Sequence, residues 1–142
     1  MNKGFTIIEL LLVVAIIFIV TSFSAVFYSR FLTQNAVLNT TDQIVGQLQK
    51  AQIYAMSGKQ NSNWGVSYAS PLLILYAGNS YATRNPIFDE KFTVNGNISI
   101  AGLLSLTFTR VTGTPSATPV ITISGNNNTK MVTLNSQGMI NK

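Results

Sequence analysis

Four acidic side chains are all that this 142-residue chain offers for acid, base or metal chemistry, and it contains no His and no Cys. Without imidazole or thiol there is no Ser-His or Cys-His nucleophile, no soft metal ligand and no disulfide framework. Asp89 and Glu90 are the only clustered acids. Neighbours on a strand point to opposite faces, so this pair cannot share a metal or act as two catalytic carboxylates without a bulge. Calcium would need more oxygen ligands than the pair supplies. No catalytic, cofactor-binding or metal site is expected, and an enzyme stands only as the contrasting hypothesis. The lack of Cys leaves the redox compartment open, because a chain of this size can build a core without disulfides.

Glu9 stands where a carboxylate is costly. Between it and Arg30 lie twenty residues without a charge, LLLVVAIIFIVTSFSAVFYS. As a helix rising ~1.5 Å per residue this stretch reaches across a hydrocarbon core of ~30 Å. A secretory signal has a shorter apolar core ending in a small-residue cleavage site. Here the apolar character runs on through Phe23, Val26, Phe27 and Tyr28, so a spanning helix is the expectation. A carboxylate one turn into such a helix needs a partner. Lys3 is six residues away and Arg30 is at the other end; alternatively Glu9 rests at the headgroup boundary. The residues alone leave these open.

Nine Lys plus Arg against four Asp plus Glu give a net charge of +5, which invites a nucleic-acid reading. The basic residues stand singly along the chain, however, and form no run that would mark an electrostatic footprint. Asn39, Asn97 and Asn127 begin N-x-Ser/Thr sequons, close to the number that chance gives in an Asn-rich chain.

The elements that would carry these residues follow from periodicity. Beyond Arg30 the helical repeat continues: Val37, Thr41, Ile44, Leu48, Ala51 and Ala55 recur at spacings of four and three, a stripe expected to pack on a sheet. The helix is predicted from about Thr6 to about Ser57, with Gly58 as its stop. Hydroxyls at Thr21, Ser22 and Ser24 can bond back to carbonyls within it. Past Gly58 the period becomes two. Trp64, Val66 and Tyr68, and later Leu104, Leu106 and Phe108, alternate with small or polar residues and read as half-buried strands. Residues 72–77, 87–94, 120–124 and 131–135 are further strand candidates. The predicted class is α+β, a long N-terminal helix packed on a C-terminal antiparallel β-sheet or two-layer β-sandwich.

Lys3-Gly4-Phe5-Thr6-Ile7-Ile8-Glu9-Leu10-Leu11, running into an apolar stretch, resembles the class III signal of type IV pilins and type II secretion pseudopilins. The resemblance implies that a membrane-embedded prepilin peptidase cleaves after Gly4 and N-methylates Phe5 as the mature N-terminus. It also implies that Glu9 neutralises the new amine of an adjacent subunit as a filament is built. The implied organisation is a leader at residues 1–4, a transmembrane and filament-core helix at 5–33, and a pilin-like globular domain at 34–142, with helix 34–57 and β-sheet 63–142. The implied location is a bacterial inner membrane, crossed once, with the N-terminus cytoplasmic and the globular domain outside it. The implied partners are other pilin or pseudopilin subunits, the peptidase, an inner-membrane assembly platform, the membrane and an exported protein as cargo, with no cofactor.

Within that superfamily, GQLQKAQIYAMSGKQNSNWGVSY, several strands and then MVTLNSQGMI resemble the H-type minor pseudopilins, also called GspH/FimT-like, over roughly residues 34–142. Val26 stands where major subunits commonly carry a proline, a departure that leans toward a minor subunit. No Cys pair closes a C-terminal loop of the sort many major type IV pilins use, which favours a pseudopilin or an atypical pilin. Some FimT-like proteins bind DNA through basic residues near the C-terminus; this chain offers Lys142 and Lys130 there and no paired Arg, which disfavours DNA. The expected function is a structural subunit, a minor pseudopilin or minor pilin, of a secretion or pilus filament involved in protein secretion. The alternative is a type IV pilus subunit for adhesion, twitching motility or DNA uptake.

Overall fold

The computed structural model describes residues 4–142, with the side chains of residues 23–27 outside the description. Lys3 therefore lies outside the described residues, as do the side chains of Ser24 and Val26. One helix, α1, runs Ile7–Met56 and is about 75 Å long at 1.5 Å per residue. Thr6 caps its start and Ser57 its end. Gly58 then adopts φ 66°, the left-handed conformation that ends helices and that glycine takes without a Cβ penalty. Thr21 and Ser22 do bond back, their hydroxyls donating to the Ile17 and Phe18 carbonyls at 2.9 and 2.7 Å.

Eight strands follow: β1 (Trp64–Ala69), β2 (Leu72–Ala77), β3 (Asn85–Thr93), β4 (Ser99–Ala101), β5 (Ser105–Phe108), β6 (Val120–Gly125), β7 (Asn128–Leu134) and β8 (Ile140–Asn141). They form two antiparallel four-stranded sheets, ordered β3-β2-β1-β5 and β4-β6-β7-β8. The fold is α+β, a long helix packed on an antiparallel β region. Both sheets share one core with the second half of α1. Every member of the predicted stripe, Val37, Thr41, Ile44, Leu48, Ala51 and Ala55, is buried. Against it lie Trp64, Val66, Leu73 and Leu75 from one sheet, and Ile121, Ile123, Val132 and Leu134 from the other. At the far end of the helix Tyr54 meets Trp64 edge-on at 4.8 Å, and the Trp64 indole donates to the Lys59 carbonyl.

Three expectations need correction. β1 is not half-buried: Trp64, Gly65, Val66 and Ser67 are all buried. The face turned away from the helix is closed by Tyr76, whose hydroxyl bonds Ser105 and Thr107 at 2.8 and 2.7 Å and whose ring Tyr81 covers edge-on. Small or polar residues marked that face as wet, yet Gly65 is small because a ring lies on it, and Thr107 is buried because its hydroxyl is satisfied. Second, Leu104 is 85% exposed while Leu103 is buried. The two precede β5, which begins at Ser105, so only one of the adjacent leucines turns inward. Third, β4 and β8 were not foreseen, being three and two residues long, too short to show a period.

Candidate functional site

The N-terminal segment is built from local rules. Gly4, Phe5 and Thr6 precede the helix, and Thr6 sits at φ −83°, ψ 151°, extended backbone suited to a cap. Its hydroxyl accepts the Glu9 N–H at 3.4 Å, and its carbonyl accepts the Leu10 N–H at 3.2 Å. Thr6-Ile7-Ile8-Glu9 is thus a capping-box sequence with Glu9 at the third helical position. The signal is a local one, a hydroxyl residue followed three places on by Glu just before an apolar run. A carboxylate in the first turn also meets the positive end of the helix dipole. Glu9 is exposed and, among the described residues, has no cation within salt-bridge distance.

Gly4 has nothing within 4 Å of where a Cβ would sit and does not take a left-handed φ. Nothing among the described residues requires glycine there. The Gly4–Phe5 bond lies two residues before the first helical residue, and Phe5 is 79% exposed. This peptide is exposed and lies outside the helix.

All thirteen large apolar residues from Phe5 to Val20 are exposed. Full burial of each is worth ~1.5–3 kcal/mol, and as they already lose part of their surface to the helix itself, covering the rest is worth on the order of 10–25 kcal/mol. A stripe this wide faces no core of its own chain. Among the described residues no helix is long and apolar enough to cross a membrane. The described side chains of the apolar half end at Ser22, about 23 Å from Ile7 along the axis, and a full span needs residues 23–27 as well.

The remaining acids are occupied. The β2–β3 register sets Glu90 beside Leu75 on the helix-facing side, where its carboxylate takes the Lys50 ammonium at 2.5 Å. That hydrogen bond, opposed by desolvation, holds the Lys50 pKa above its ordinary value. Asp89 points the other way and receives Arg84 Nε at 2.9 Å; this contact raises the Arg84 pKa. The guanidinium also lies 3.8 Å over the Tyr81 ring, so this pair helps to close the outer face of the first sheet. Asp42 on the helix pairs with Lys142 at 2.6 Å. Lys142 and Lys130 line one small cleft with Leu38, Thr41 and Asp42, so the two cations named for DNA share their surface with an acid. Among the described residues no three or more carboxylates come together to hold a metal.

The structure leaves Gly4, Phe5 and Glu9 together at one end, separated from the globular core by the apolar half of α1. No curated protein and no solved structure matches the chain. Residues 1–25 match the family described as the prokaryotic N-terminal methylation motif, which supports the type IV pilin and pseudopilin class for this chain.

Proposed function

We propose that this protein is a minor pseudopilin or minor pilin, a structural subunit that assembles through its N-terminal helix into a filament serving protein secretion. The observation that carries the reading is the end of α1: an accessible Gly4–Phe5 peptide, a first-turn Glu9 with no ion-pair partner among the described residues, and an uncovered apolar half. In this reading residues 1–4 are a leader, 5–33 cross the inner membrane and later form the filament core, and 34–142 are the extracytoplasmic domain. The peptidase cleaves after Gly4, whose bond to Phe5 lies in an exposed segment ahead of the helix. Phe5 becomes the methylated amine, and Glu9 of a neighbouring subunit supplies its counter-ion.

The class is a structural one, and the occupied acids of the globular domain fit that role. Glu9 works as a register device. An unpaired charge buried among helices costs several kcal/mol, so docking is favourable only where amine and carboxylate meet. Glu9→Leu is expected to insert in the membrane normally and to enter filaments at about a tenth of the wild-type level or less, scored by immunoblotting membrane and sheared-filament fractions. Wild-type incorporation of Glu9→Leu would remove the role assigned to this residue.

A further inference from the structure

The rim of the globular domain that faces the apolar half of α1 is made of two asparagine-rich turns. Residues 95–97 meet the helix at Leu32, Thr33 and Ala36. The β6–β7 turn meets it at Arg30 and Gln34, enclosing a cleft of about 330 Å³ lined by these two residues with Asn126, Asn127 and Asn128. Asn126 and Asn127 take φ of 39° and 67°, the left-handed pair that a tight hairpin turn demands and that asparagine tolerates. The cleft holds one cation and no acid. Of the three arginines, Arg84 is held by Asp89 and Arg110 by Asn61, whereas Arg30 has no ion-pair partner among the described residues. An adjoining cleft shares Gln34 and Asn128 and adds Lys130.

Height decides what reaches this cleft. Arg30 is the first charge after Glu9, and twenty-one helical steps put it about 32 Å along the axis, one hydrocarbon thickness away. With Glu9 at the inner boundary, the Arg30 guanidinium lies in the outer phosphate layer. The amides of the hairpin turn are lowered to the same level. A guanidinium fork with amide donors beside it matches a phosphodiester, which offers two charged oxygens in one plane.

We propose that the cleft formed by Arg30, Gln34 and Asn126–Asn128 binds the phosphodiester headgroup of a membrane phospholipid. This contact rests on the spanning reading of α1. It holds the domain in one orientation against the bilayer surface until the subunit is drawn into a filament.

The test uses the full chain, ¹⁵N-labelled, in neutral detergent micelles titrated with short-chain phosphatidylglycerol or inorganic phosphate. The amide signals of Asn126–Asn128 are expected to shift with the lipid. The half-saturating concentration should rise about tenfold in Arg30→Gln, as loss of a charge-assisted pair implies. Arg110→Gln, at the opposite end of the domain, should leave it unchanged. No shift at these amides, or an Arg30→Gln titration equal to wild type, overturns the proposal. Equal response to inorganic phosphate at the same concentration also overturns it, since that assigns the cleft to any free anion. Flotation of the same protein with liposomes separates the two readings. A chain that fails to float refutes the anchor itself, whereas a floating chain with silent asparagine amides refutes only the headgroup contact.

Discussion

Gly65→Ala tests the closed second face of the first sheet, the feature that most changes how this domain is understood. A Cβ on Gly65 would lie 2.5 Å from the Leu106 carbonyl oxygen and 2.6 Å from the Tyr76 ring. The oxygen belongs to the neighbouring strand, which is locked to β1 by its ladder. The ring cannot swing away without breaking its hydroxyl bonds to Ser105 and Thr107. Overpacking of this kind costs ~1–3 kcal/mol, occasionally more. Two immovable partners put the cost at the upper end. Replacing a strand glycine returns ~0.5–1 kcal/mol of chain entropy. The net loss is therefore about 2–2.5 kcal/mol. Among the described residues every buried apolar side chain lies between Val37 and Leu134, so residues 34–142 keep that core. For a fragment of about 110 residues that loss lowers Tm by roughly 8–10 °C. Urea and thermal unfolding of wild type and Gly65→Ala, followed by far-UV circular dichroism, give the measurement. Tyr76→Leu should recover part of the loss in the double variant, because it removes one of the two clashes. A Gly65→Ala domain within about 0.5 kcal/mol of wild type would refute the packing described for that face.

The Lys50 to Glu90 pair gives a pH signature at the alkaline end. The folded-state pKa of Lys50 is raised, so the stabilisation is complete below the unfolded value near 10.5 and is lost as pH rises through the folded one. Both side chains are about a third exposed, which limits the effect to under ~1 kcal/mol. Lys50→Met should flatten that part of the stability profile in urea titrations between about pH 9 and pH 12, and an unchanged slope would contradict the assignment. DNA binding by residues 34–142 should be weaker than micromolar at physiological salt, with a shallow salt slope, because Lys142 is paired with Asp42 and few free cations remain near it. Sub-micromolar affinity in fluorescence anisotropy would overturn this expectation.

How much of this was readable beforehand depended on the range of the forces involved. The helix and its stripe were legible because i, i+3 and i+4 spacing is local, and Val37 to Ala55 all fell into the core. Thr6 was legible too, since a capping box is a four-residue pattern. The division into two sheets was not, because it rests on strand pairing across the chain, such as β1 with β5 about forty residues on. Polar burial misled at Thr107 and Ser67, whose hydroxyls are satisfied by Tyr76 and the Leu104 carbonyl. No period within a strand announces such a partner. The cleft at Arg30 was likewise invisible: nothing local ties the β6–β7 turn to Arg30, and the fold alone lays that turn against the helix ninety-odd positions earlier.

The central claim is that an accessible Gly4–Phe5 peptide is cut and the new amine carried into a filament on an apolar helix. Its most direct test is the intact mass and N-terminal peptide of the protein extracted from membranes of cells that possess the peptidase. The account predicts a chain beginning at N-methylated Phe5, with residues 1–4 gone. A chain that retains Met1 through Gly4 in those cells would contradict it.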